Sequence, residues 1–312
     1  MPGARVKSMD TGTRKTMACG IDRLGRMASR SVDGIIDWVA GEVRSLVPAA
    51  DLGDRDPEFI SGTAGPAWLL VRTYFRAEVR GIDNIPGDGP VLLVGNHSGG
   101  NVSPEVLISS LAFVRRFGPH RPFYQLAHNL VMAYPFVGTF LRRLGTVAAE
   151  PAIAAAALRA GAAVLVYPGG DWEVHRPTWE EDRVEFNGRT GFLRLAWAER
   201  VPIVPMVNIG AQESELILAR GDRLARALRL DKMLRLKVFP ISLALPWGLD
   251  IGDLAGHIPL PAKVVVEFLP PIDLHALLGP ELDIDRGYRH ITGVMQDALT
   301  RLAAERRFPI LG

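Results

Sequence analysis

The stretch Val91-Leu92-Leu93-Val94-Gly95-Asn96-His97-Ser98-Gly99-Gly100-Asn101-Val102-Ser103-Pro104-Glu105 decides how this chain is read. Four apolar residues framed by Pro90 and Gly95 have the pattern of a buried strand, and His97 falls just past its end. Ser103 offers an N-cap hydroxyl, Pro104 suits the first helical position, and Glu105 lies in the first turn, where a carboxylate complements the helix dipole. Gly99 and Gly100 allow the loop to fold back, which would let Glu105 orient one nitrogen of His97 while the other faces a hydroxyl. A lone loop histidine is more often solvated or a packing residue, and Glu105 could serve the dipole only, so the pairing needs support from elsewhere in the chain.

Further segments repeat the strand-then-loop pattern. Ala77–Ile82 alternates as a half-buried strand does, and a helix is expected from Glu105 to Phe117. Residues 122–141 lack Asp, Glu, Lys and Arg, but Gln125, His128, Asn129, Pro135 and Gly138 argue for short buried or interfacial helices over a membrane span. An alanine-rich helix over Pro151–Ala160 ends at Gly161 and leads to the core strand Ala163–Tyr167. That strand runs into Pro168-Gly169-Gly170-Asp171-Trp172-Glu173-Val174-His175-Arg176, a second glycine-rich, charged loop at a strand's carboxyl end, where open α/β sheets build their sites. A helix over Phe192–Glu199 and the strand Val201–Val207 follow, which suggests a parallel pair. Lys263–Leu269 reads as a last strand and Ile291–Arg307 as a closing helix. The expected fold class is α/β, a mostly parallel central sheet flanked by helices, with N-terminal amphipathic helices.

The N-terminal part reads differently. Residues 1–13 are small, polar and aperiodic and are expected to be a disordered tail. Apolar residues then recur at helical spacing from Ile21 to Leu46 behind Arg14, Lys15, Arg23, Arg26 and Arg30, so 14–66 is assigned to a basic amphipathic helix and a linker over 48–66. No continuous apolar region of a signal peptide is present. A second helix is expected from Ala67 to Phe75, and 67–312 is taken as the main domain.

A net charge of +2 with a pI near 8.8 points to local basic surfaces, which suit anionic lipid better than nucleic acid, for which no module is recognisable. Arg220 to Lys237 is one such surface, and the apolar Phe239–Trp247 that follows suits a headgroup boundary. The single cysteine, Cys19, fits a reducing compartment. Asp171, Glu173 and His175 contain one histidine only, so no metal site is expected from them.

With these segments placed, the chain resembles the phospholipid/glycerol acyltransferases of the lysophospholipid acyltransferase superfamily. Asn96-His97 through Glu105 resembles the histidine-and-acid block, Gly138 through Gly145 the second block, and Val166-Tyr167-Pro168-Gly169-Gly170 with Glu173 the third. That third block is similar to the Pro-Gly-Gly form of the neutral-glycerolipid branch, and Val201-Pro202-Ile203-Val204-Pro205 resembles the fourth. The departure lies in the first block, where the family's aspartate position holds Val102 and the nearest acid is Glu105.

The resemblance implies a membrane-associated O-acyltransferase on the cytoplasmic face, moving an acyl group from acyl-CoA or acyl-carrier protein to a lipid alcohol, with no bound cofactor. His97 would be the general base and Glu105 its partner. Gly99, Gly100, Gly169 or Gly170 would supply oxyanion N–H groups, and Glu173, Arg176 and Arg189 would line the substrate site, the arginines as phosphate clamps or as ion pairs with Glu173, Asp182 or Glu185. Two other classes compete: a lipid-surface binder with a lapsed site, because the acid is displaced, and a serine hydrolase using Ser98, which lacks a Gly-x-Ser-x-Gly elbow.

Overall fold

A computed structural model describes residues 51–308, except 134–135, 181, 234–235 and 254–255, together with residues 34 and 41. The expected tail over 1–13 lies outside the described residues, as does the basic helix over 21–46 apart from Gly34 and Gly41. Ten strands are described: β1 Glu78–Arg80, β2 Val91–Gly95, β3 Phe123–Ala127, β4 Thr146–Ala148, β5 Ala163–Val166, β6 Ile203–Ile209, β7 Leu216–Ala219, β8 Ile241–Ala244, β9 Gly248–Ile251 and β10 Val265–Phe268.

Seven of them form one sheet in the order β1-β10-β6-β2-β5-β3-β4, and β7-β8-β9 form a small antiparallel sheet. Pairings within the large sheet are parallel except between β10 and β6. The β2 strand lies at its centre, between β5 and β6, so those two strands are parallel to β2 and not paired with each other as their sequence proximity suggested. Every β2 residue is buried because both faces are covered. Successive side chains alternate: Leu92 and Val94 join the core with helices Pro151–Arg159, Gly191–Glu199 and Ile284–Glu305, while Val91 and Leu93 join the core with Pro57–Tyr74 and Pro104–Phe117.

Three sequence expectations need correction. The linker assigned over 48–66 ends early, because helix Pro57–Tyr74 starts inside it; Asp56 accepts from the Phe59 N–H and Pro57 fills the first position, so the Asp-Pro pair inside that stretch is a helix start. The charge-free stretch from 122 opens with a strand, β3, before the short helices Asn129–Ala133 and Val137–Arg143. Buried Gln125 is satisfied there by donating to Thr146 Oγ1 of β4. Ser103 precedes its helix but does not cap it: at φ 42 its hydroxyl donates to Gly100 O instead. Among the described residues no helix is long and apolar enough to cross a membrane.

Candidate active site

The carboxyl ends of β2, β5 and β6 bring the two glycine-rich loops together. After β2 the chain passes through Gly99 at φ 84 and Gly100 at φ 65 into a single turn over Gly100–Val102, then through Ser103 into helix Pro104–Phe117. A side chain at either glycine would be strained at these angles, and one at Gly99 would also strike Ala211 O. This turn takes up the extra residues between histidine and acid and returns Glu105 to the strand tip. His97 Nδ1 lies 2.7 Å from Glu105 Oε1, which also accepts the Ser98 N–H at 3.1 Å. Glu105 is fully buried, whereas the His97 side chain is 17% exposed.

The second loop supports the same histidine. Glu173, on the short helix Gly170–Val174, accepts the His97 N–H through Oε2 at 2.9 Å and the Glu185 N–H through Oε1 at 2.8 Å. Burial pushes its carboxyl above the usual range, against the pull of Arg176 and the two amides. A Cβ at Gly169 would collide with the Glu173 carboxylate, so glycine is needed there for close approach. Tyr167, the residue after β5, stacks on His97 with ring centroids 4.6 Å apart. Its edge lies over Gly95, where a Cβ would come within 2.6 Å of Cε1, and burial together with the Glu105 charge raises its phenol well above the ordinary value.

The arginines occupy ion-pair positions. Arg176 is buried, donates to Arg183 O and lies 4.0 Å from Glu173. Arg189 is partly exposed; it bonds Asp171 Oδ1 at 2.6 Å and the Gly169 carbonyl. Asp171, Glu173 and His175 do not converge on one point: Asp171 meets Arg189, Glu173 meets His97, and His175 Nε2 turns toward Asp253. Of the glycine amides, Gly170 N–H is spent on Tyr167 O. Ser98 is buried with its hydroxyl donating to Asn208 Oδ1, which is not the arrangement of a nucleophile facing its base.

Three contacts were not read from the sequence: Asn208 on β6 pairs with Asn96, Tyr167 stacks on His97, and Glu173 accepts the His97 backbone N–H. Asn208 carried a signal, a lone amide in an apolar run that continues past Val207.

A sequence model of the Acyltransferase family matches residues 76–208, which encloses both loops. An uncharacterised protein of Mycobacterium tuberculosis is 31% identical over 282 residues, covering 88% of this chain and 75% of the relative. Another from Mycobacterium leprae is 30% identical over 314 residues, covering 97% and 82%. A DGAT1/2-independent enzyme synthesizing storage lipids from Gallus gallus is 26% identical over 201 residues, 60% of this chain and 57% of that protein. Among solved structures, the 1-acyl-sn-glycerophosphate acyltransferase PlsC of Thermotoga maritima aligns with a TM-score of 0.51 at 18% identity, covering 81% of this chain and 83% of that one.

Proposed function

The chain belongs to the acyltransferase superfamily, and from that premise we propose that it moves a fatty acyl group from an acyl thioester to a hydroxyl of a glycerolipid or lysophospholipid, with His97 as general base. The observation that carries this reading is the 2.7 Å approach of Glu105 Oε1 to His97 Nδ1. With the Nδ1 proton held by Glu105, Nε2 is the basic nitrogen, and the partial exposure of the ring leaves it within reach of an acceptor. Nε2 takes the hydroxyl proton as the oxygen attacks the thioester carbonyl, and the imidazolium returns that proton to the departing thiolate. Glu105 stabilises the imidazolium between these steps. Gly99, Gly100 and Gly169 remain the glycine amides for the tetrahedral oxyanion.

The chicken relative's storage-lipid activity and the solved relative's lysophosphatidate activity support a glycerolipid acceptor. The returned loop also weakens the case for a lapsed site, because the acid displaced in sequence is in contact with the histidine in space. Incubating the purified chain with labelled acyl-CoA or acyl-carrier protein and a panel of lysophospholipids, monoacylglycerols and diacylglycerols tests the proposal. Transfer to a lipid hydroxyl supports it, and release to water alone or no reaction refutes it.

The same reading includes peripheral attachment to an anionic membrane. Register aligns Leu216, Leu243 and Leu249 across β7, β8 and β9, and all three are exposed, as are Leu245, Trp247 and Ile251. An open apolar sheet face with an aromatic at its end is suited to the headgroup boundary. The basic run contributes less than its sequence indicated, because Arg220 is engaged by Glu180 and Glu185 and Arg226 by Asp222. Replacing Leu243 and Leu249 by serine is expected to abolish flotation with anionic liposomes, and unchanged flotation would remove this surface from the proposal.

A further inference from the structure

Behind the loop that carries His97 lies a second group of ionisable side chains that the proposed chemistry does not use. Glu215 follows β6, Asp253 and His257 follow β9, and His175 ends the short helix after Gly170. Glu215, Asp253 and His175 are buried, and the His257 side chain is fully enclosed. Two carboxylates and two imidazoles thus share an interior where charge must be neutralised.

Their unpaired atoms point to what neutralises it. Among the described residues, neither carboxylate oxygen of Glu215 has a hydrogen-bond partner of ordinary geometry, and the same holds for the buried Ser242 hydroxyl beside it and for Nε2 of His257. His175 Nδ1 faces the Asp171 carbonyl, an acceptor only, at 3.3 Å, which fixes the ring orientation at the edge of the group. Its Nε2 stands 3.5 Å from Asp253 Oδ2. His257 Nδ1 is 3.1 Å from Asp253 Oδ1 and 3.7 Å from Glu215 Oε2. Ligands spaced about 3.3 Å apart are what a tetrahedral ion with ~2.0 Å bonds produces.

We propose that Glu215, Asp253 and His257 form a buried binding site for one divalent transition-metal ion of the zinc class. Mixed imidazole and carboxylate donors suit such an ion better than calcium or magnesium, which take oxygen ligands. The site's place in the fold gives it work to do. Gly100 packs so closely on the Glu215 carboxylate and the His257 ring that no side chain fits there, and Asn101 binds Asp253 twice, through its N–H and its amide. The ion would therefore fasten the loop between His97 and Glu105 from behind.

Elemental analysis of the full chain, isolated without chelator and again after dialysis against zinc, tests this directly. The proposal expects one zinc per chain, a melting temperature lowered by dipicolinate and restored by zinc, and four-coordinate visible bands on cobalt substitution. Glu215→Gln and His257→Ala are expected to lose the ion, while His97→Ala keeps it. No uptake by the wild-type chain, with a melting temperature indifferent to zinc and chelator, would show a cluster balanced by protons alone and overturn the site. Retention of full stoichiometry by both cluster variants would overturn the ligand assignment. None of these readouts depends on acyl transfer, so the site and the proposed activity fail or stand separately.

Discussion

Asn96 and Asn208 lock the ends of two neighbouring strands through reciprocal hydrogen bonds: each side chain reaches the other's backbone, and Asn208 N–H also donates to Asn96 Oδ1. Asn208 additionally accepts the Ser98 hydroxyl, so the residues on both sides of His97 are fixed from β6. Asn208→Ala leaves the Ser98 hydroxyl and the Asn96 carbonyl buried without these partners. A loss of about 1–3 kcal/mol for each unmet group is the expected range. Denaturant unfolding and acyl transfer should both suffer. A variant as stable and as active as wild type would mean that the strand tip is held by other contacts.

The dyad makes a sharper statement about rate. Glu105→Gln keeps an acceptor for the Ser98 N–H and the His97 Nδ1–H but removes the charge that stabilises the imidazolium. Turnover should fall on the order of 10²–10⁴-fold with the acceptor KM little changed. Glu105→Asp shortens the side chain at a helix start already fixed by the preceding turn, so it should lower turnover as well. His97→Ala should abolish transfer in a chain that still folds, with some loss of stability because the ring stacks on Tyr167 and meets buried Glu105. Equal turnover in Glu105→Gln and wild type would reduce Glu105 to a helix-start residue.

A pH effect is expected at the other end of the domain. The Phe59 N–H and Arg143 hold the Asp56 carboxyl below its ordinary value of 3.8. A depressed folded value means that the charge stabilises the fold above the ordinary value and that this contribution is lost as pH falls through the folded one. Asp56→Ala should therefore melt at a lower temperature than wild type at pH 7, and the gap should close in acid below the ordinary aspartate range. A gap independent of pH would mean that packing of the helix start, not the charged cap, is responsible.

The sheet's centre was legible because β2, β5 and β6 are apolar runs ended by Gly or Pro, interrupted only by Asn208 in β6, and burial on both faces leaves such runs no other place. His97 and Glu105 were legible because they stand at the two ends of one short loop. Elements that satisfy polar groups within the fold were not. β4 is only three residues long, and its Thr146 pairs with Gln125, which looked like a disruption of an apolar stretch. Arg220 looked solvated because its partners Glu180 and Glu185 lie far back in the chain. The Glu215, Asp253 and His257 group assembles only when residues beyond β6 and β9 meet under Gly100, and no local spacing announces that.

Glu173 separates two roles that the structure places in one side chain. Its carboxylate receives two backbone N–H groups, one from His97 and one from Glu185, and also faces buried Arg176 at 4.0 Å. An amide has only one acceptor oxygen, so in Glu173→Gln one of these N–H groups must meet an NH2 group instead. Removing the charge relieves the cost of burying it but leaves Arg176 without its carboxylate. If Glu173 matters only as a counter-ion, Glu173→Gln combined with Arg176→Met removes both charges together and should recover stability and turnover. If it positions His97 through the backbone, the double variant regains stability while turnover stays low, because one amide oxygen cannot hold the His97 N–H and the Glu185 N–H together. The geometry favours the second outcome: the His97 N–H bond is 2.9 Å long, whereas the arginine stands at 4.0 Å. Full recovery of turnover in the double variant would show that the second loop supplies charge balance and nothing more to the histidine.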